Sequence, residues 1–123
     1  MEGRRVTLQE HLLDQLQEEL AEAIQAISKA KRFGLYNFWE REQCVNSIAI
    51  QRELIDCDVV MAKIKKHGLL MGMTREQYDL YRAGKEERLQ TYIEYAREVK
   101  RLLPADKDPS LSMQVQKPES RTG

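Results

Sequence analysis

Two short acidic runs carry the side chains best placed for chemistry, Glu18-Glu19-Leu20-Ala21-Glu22 and Glu53-Leu54-Ile55-Asp56. On a helix each residue turns by about 100°, so Glu19 and Glu22 project about 60° apart and one turn along the axis, as do Glu53 and Asp56. Each pair can therefore converge on one point. Two unit charges about 4 Å apart repel by about 1 kcal/mol in water and about 4 kcal/mol at an effective dielectric of 20. Four converging carboxylates call for a compensating charge, which a divalent cation supplies. All-oxygen ligation favours Mg²⁺, with Mn²⁺ as the alternative, and Mg²⁺ commonly joins a few carboxylates to substrate phosphates. A bundle-core di-iron site is disfavoured, because such sites use Glu-x-x-His pairs and neither His11 nor His67 stands three residues after a Glu.

The competing account is a solvated acidic face, which arises easily with 20 acidic residues in a helical chain. The second run weighs against it. Glu53 and Asp56 share a heptad-spaced stripe with Asn46, Ala49, Val60 and Lys63, on a segment that is apolar around most of its circumference. Carboxylates on a buried helix need partners. Beyond the first run lies Ser28-Lys29-Ala30-Lys31-Arg32-Phe33-Gly34, whose basic residues either complement the dipole at a helix end or contact phosphate. In the second case Lys29, Arg32 and Lys63 reach a metal-held polyphosphate, Arg32 through a bidentate fork. Tyr36, Phe38 and Trp39 either pack in the core or offer a stacking surface for a base, with Trp39 the preferred candidate.

These residues need helices to position them. Thr7 followed by Glu10 reads as a capping box, and Leu13, Leu16, Leu20, Ile24 and Ile27 recur at three- and four-residue steps until Gly34, predicting a helix over 8–32. Leu35 to Trp39 is aromatic and short of helix signals. No Gly or Pro then follows until Gly68, which predicts a second, central helix over 40–66, buried nearly all round. Thr74 and Gln77 repeat the capping box and open a third helix that ends before Pro104, with Gly84 marking a kink or break. The expected fold class is all-α, with three main helices in an antiparallel bundle over 1–103 and a flexible tail over 104–123 that has almost nothing to bury. Apolar surface is left uncovered, so a homodimer or homotetramer is expected to complete the bundle.

Composition narrows the function classes. The chain of 123 residues suits one domain, and 20 basic against 20 acidic residues remove the electrostatic footprint of a duplex nucleic-acid binder. No eighteen apolar residues run together and no apolar segment follows Arg4 and Arg5, so neither a membrane span nor a leader is expected, and the location expected is cytoplasmic. Cys44 and Cys57 fit neither CxxC spacing nor a disulfide-dense pattern, and both are expected reduced and buried.

Glu18-Glu19-x-x-Glu22 followed by Glu53-x-x-Asp56 resembles the signature of the MazG-type all-α nucleoside triphosphate pyrophosphohydrolases. The likeness covers about residues 12–66 and takes in Ser28-Lys29-x-x-Arg32-Phe33-Gly34 and Asn46, seven residues before Glu53, as in small MazG-like proteins of phages and bacteria. The resemblance implies Mg²⁺-dependent hydrolysis of a nucleoside triphosphate between its α and β phosphates, with Glu19, Glu22, Glu53 and Asp56 as metal ligands. Glu18 would assist, through a second metal or by orienting the attacking water. Asn46 joins Lys29, Arg32, Trp39 and Lys63 as the expected substrate-binding set. The family's dimers or tetramers, with sites between helices, agree with the apolar surface left uncovered. The interval from Glu22 to Glu53 is longer than in many relatives, which makes the Gly34 to Trp39 loop specific to this branch. The residues leave open a non-catalytic helical interaction module, or a relative that binds nucleotides without turnover.

Overall fold

The structure, a computed structural model, describes residues 3–40 and 42–111, apart from the side chain of Trp39. Among these the chain is all-α, as expected. The elements are α1 (Leu8–Phe33), a hairpin of β1 (Phe38–Trp39) and β2 (Cys44–Val45), α2 (Asn46–Lys66), α3 (Arg75–Glu98) and a 3-10 turn (Ala105–Lys107). They fall into two compact units that meet in sequence at Gly72 and Met73. The first holds α1, the hairpin and α2; the second holds α3 and the 3-10 turn.

The start of α1 is half of the expected capping box. Thr7 Oγ1 accepts from the Glu10 N–H at 3.0 Å, while the Glu10 carboxylate turns to Arg4 at 3.3 Å instead of reaching back. At its end Gly34 donates to the Ala30 carbonyl at 2.8 Å with φ 102°, a backbone region that glycine enters without strain.

The second helix begins at Asn46 rather than at 40, because the strands pair first, with Phe38 opposite Val45 and Trp39 opposite Cys44. Aromatic and β-branched residues favour that pairing. No side chain caps α2. Its first amides are instead taken by loop carbonyls, Asn46 N–H by Asn37 at 2.9 Å and Ser47 N–H by Leu35 at 2.7 Å. Donors that a helix start would otherwise leave orphaned are thereby satisfied. Arg52 reaches back from α2 to the Glu42 carbonyl at 3.2 Å and fastens the hairpin.

The two helices run antiparallel, tied at one end by Gln9 Nε2 donating to the Leu69 carbonyl at 2.7 Å and at the other by Asn46 Nδ2 donating to Gly34 at 2.9 Å. Leu12, Ala23 and Ala30 of α1 are buried, as are Asn46 and Ile64 of α2, with Cys44 beside them. The small alanines allow close approach. The expectation of a second helix buried nearly all round needs correction: Ile55 and Val59 are 60% and 62% exposed, since a single neighbour covers a single face. Cys57 is likewise half-buried rather than buried, and both cysteines are free thiols.

In the second unit the capping box is complete, Thr74 Oγ1 accepting from Gln77 N–H at 3.0 Å and Gln77 Oε1 from Thr74 N–H at 2.9 Å. The helix passes through Gly84 unbroken but stops at Glu98, short of the expected end. Lys100 takes the left-handed conformation, φ 62°, with its N–H on the Arg97 carbonyl and that of Arg101 on Ala96. That is a Schellman motif with lysine where glycine is usual. Left-handed backbone costs a side-chain-bearing residue about 1–2 kcal/mol. Lys100→Gly is therefore expected to stabilise the chain by about 0.5–1 kcal/mol after allowing for the freer unfolded state; an unchanged or lower midpoint in urea contradicts this. Past Pro104, Asp108 accepts from Ser110 N–H at 2.8 Å and Oγ at 2.6 Å, which pulls its carboxyl below the usual range. Of the tail expected over 104–123, residues 112–123 lie outside the described residues.

Candidate functional site

The packed seam of α1 and α2 is interrupted by acids. Along α1 the less exposed positions include Leu12, Leu16, Glu19, Ala23, Ala26 and Ala30, and along α2 they include Asn46, Ala49, Glu53, Cys57, Val60 and Ile64. A glutamate thus stands mid-seam on each helix. Glu22, one turn beyond Glu19, joins them: Glu19, Glu22 and Glu53 each offer a carboxylate oxygen, all within 4.8 Å of one another. Glu53 Oε2 is buried and accepts no hydrogen bond.

Electrostatics agree with the geometry. The Glu53 carboxyl is raised above the usual range, first by burial and then by the charges of Glu22 and Asp56, and Glu19 is raised by the same causes in the same order. Burial, then Glu19 and Asp56, also push the Cys57 thiol up. Asp56 itself is exposed and supplies its field without joining the three-oxygen set. The donors suit a hard divalent cation. Octahedral Mg²⁺ with ligands about 2.0–2.1 Å away needs oxygens no more than about 4.2 Å apart, and small side-chain adjustments bring the trio to that spacing. The orphaned Glu53 oxygen is what such an ion would satisfy, although exposed acidic groups are common without one.

A cleft of about 420 Å³ opens beside the trio, lined by Glu22 and Glu53, then Ala26 and Ala49, then Lys29 and Asn46, with Gln25 and Glu42 at its rim. The structure therefore gathers Glu19, Glu22, Glu53, Asp56, Lys29 and Asn46 around one region. Glu18 faces out, accepting from Gln15 Nε2 at 3.4 Å. Arg32 is exposed and lies over the Phe33 ring, 5.2 Å from its centroid, and is not in the cleft wall. Lys63 is exposed and stands ten residues beyond Glu53, about 15 Å along α2 and away from Asn46. The Trp39 backbone sits in β1, but the stacking role expected of its ring lies outside the described residues.

Gln25, Ala26 and Glu42 were not anticipated. Ala26 had a signal, lying on the same three- and four-residue steps as Glu19 and Ala23, whereas Glu42 reaches the rim only because the hairpin folds back. Comparison with family models, with curated proteins and with solved structures returns no match for this chain.

Proposed function

We propose that the chain is a Mg²⁺-dependent nucleoside triphosphate pyrophosphohydrolase that acts as a homodimer or homotetramer. One observation carries this reading: carboxylates from two helices converge at the mouth of a cleft, with the Glu53 oxygen desolvated and unpartnered. Nothing in packing favours such an arrangement, so a ligand that compensates it is the economical account.

In this reading Glu19, Glu22 and Glu53 would hold Mg²⁺, or Mn²⁺ in its place, with Asp56 as an exposed fourth carboxylate nearby. The ion supplies Lewis-acid polarisation of phosphoryl oxygens and neutralises charge developing on the leaving group. Water attacks the α-phosphorus, the bond to the bridging oxygen breaks, and pyrophosphate leaves as the monophosphate forms. Glu18 faces out and stands outside this cluster, so no step is assigned to it. Lys29 and Asn46 make the contacts within the cleft; Arg32 and Lys63 stand outside it, so the proposal does not rest on them. The exposed Leu20, Ile24, Ile55 and Val59 support a second copy as the cover for the open helix faces. No helix among the described residues is long and apolar enough to cross a membrane, which fits the cytoplasmic location this reading assumes.

The test is incubation with Mg²⁺ and each common ribo- and deoxynucleoside triphosphate, resolving monophosphate, diphosphate, pyrophosphate and phosphate. Monophosphate with pyrophosphate is expected, abolished by chelation, together with a Mg²⁺-dependent rise in melting temperature that nucleotide strengthens. If no nucleotide is turned over and Mg²⁺ gives no thermal shift, the chain is better read as a helical interaction module using those apolar faces.

A further inference from the structure

Asn46 is the buried polar residue of the described chain, 2% exposed. Its Nδ2 donates to the Gly34 carbonyl at 2.9 Å, which fixes the amide, because a flip would set two carbonyl oxygens against each other. Oδ1 is left over, buried and without a donor. A desolvated acceptor of this kind is costly to the fold, and the cost is recovered when an N–H or O–H group arrives.

Its position says which donor. Asn46 closes the cleft at the end away from the acids, seven residues and two turns before Glu53, about 10.5 Å along α2. That span is comparable to the reach from an α-phosphate to the far edge of its base. Between the two ends the facing side chains are Ala26 and Ala49, whose small size leaves room for a sugar and a flat ring. Gln25 and Glu42, which line the same cleft, are exposed.

From this placement we infer that Asn46 Oδ1 accepts a hydrogen bond from an exocyclic amino group of the nucleotide's base. The cleft thereby selects cytosine over uracil and adenine over hypoxanthine. In the oxo counterparts a carbonyl oxygen replaces the amino donor and meets Oδ1 lone pair to lone pair. The inference rests on the pyrophosphohydrolase reading for the direction of the nucleotide, phosphates at the acids and base at Asn46.

The test pairs turnover with binding. For the wild-type chain with Mg²⁺, CTP is expected to exceed UTP, and ATP to exceed ITP, by about ten- to a hundredfold in kcat/KM. Calorimetric binding of CMP against UMP is expected to show the same order. Asn46→Leu should bring both ratios near one. Asn46→Asp keeps an acceptor but loses the tether to Gly34, so it should retain the preference in sign even where it melts earlier. If the wild type turns over CTP and UTP equally, and ATP and ITP equally, an ordered water satisfies Oδ1 and this inference falls while the proposed function stands. If no triphosphate is cleaved, the proposed function falls. The inference then stands if CMP binds more tightly than UMP, and falls if the two bind alike.

Discussion

Glu53→Gln is expected to do two opposite things, raising the stability of the metal-free chain and cutting turnover by about 10²–10³-fold. The stability gain follows from the seam. Glu53 Oε2 is buried with no donor, and its charge faces Glu22, Asp56 and Glu19. A neutral amide of the same shape removes the repulsion and can donate to the Glu22 carboxylate. The gain should be about 1–2 kcal/mol, on the scale of one unsatisfied buried group, or about 4–8 °C for each kcal/mol in a unit of this size. Melting in EDTA, followed by circular dichroism, reads it directly. Glu18→Gln serves as the stability control, since Glu18 is exposed and outside the cluster, and should shift stability by no more than about 0.5 kcal/mol.

Activity should move the other way. Losing a charged ligand removes transition-state charge stabilisation, and removal of a single such group typically costs about 10²–10³-fold in kcat. Asp56→Asn should also lower turnover, with a smaller gain in stability because its carboxylate is exposed and already solvated. A Glu53→Gln chain that is as active as wild type, or that melts below wild type without metal, shows the carboxylate to be a structural partner and removes the proposed site.

The helices were legible in the sequence because their caps are local. Thr7 and Thr74 announce two starts, and Gly34 one stop, through contacts made within a few residues. The start of α2 was not legible, since its amides are satisfied by Asn37 and Leu35 across a loop rather than by a neighbouring side chain. The end of α3 was missed for a related reason: Lys100 adopts a conformation that residue type alone assigns to glycine. At the site, heptad phase placed Glu19 and Glu22 on one helix and Glu53 on the other near a common point, because periodicity carries over to any packed pair. Phase does not state which face a neighbour covers. Glu18 is only one residue from Glu19, yet a rotation of about 100° takes it to solvent. Lys63 shares the stripe of Glu53, yet stands too far along the axis to share its cleft. Glu42 carried no signal, since its place depends on the hairpin that Arg52 holds from the next helix.

Without divalent cations the chain is expected to lose stability as pH rises above the ordinary glutamate value, the reverse of the usual behaviour of carboxylate-rich proteins. Glu19 and Glu53 have native values raised above the ordinary glutamate value, chiefly by burial and then by neighbouring acids. In the window from about pH 4.3 up to those raised values, the folded chain holds protons that the unfolded chain has released. Stability falls with pH wherever the native state binds more protons, so each step upward through that window costs the fold. The lowered Asp108 carboxyl acts with the opposite sign but below the ordinary aspartate value, outside this window. Saturating Mg²⁺ should invert the slope, because protons compete with the ion for the same oxygens and binding strengthens as they leave. At a hundredfold excess over Kd the ion adds about 2.7 kcal/mol, so the stability curves with and without metal lie together where the acids are protonated and separate as pH rises. Replacing both Glu19 and Glu53 by Gln should flatten the metal-free slope and remove the separation. A metal-free melting temperature that climbs with pH across this range means that cations of the chain itself already neutralise the cluster, and then no ion is needed to account for it.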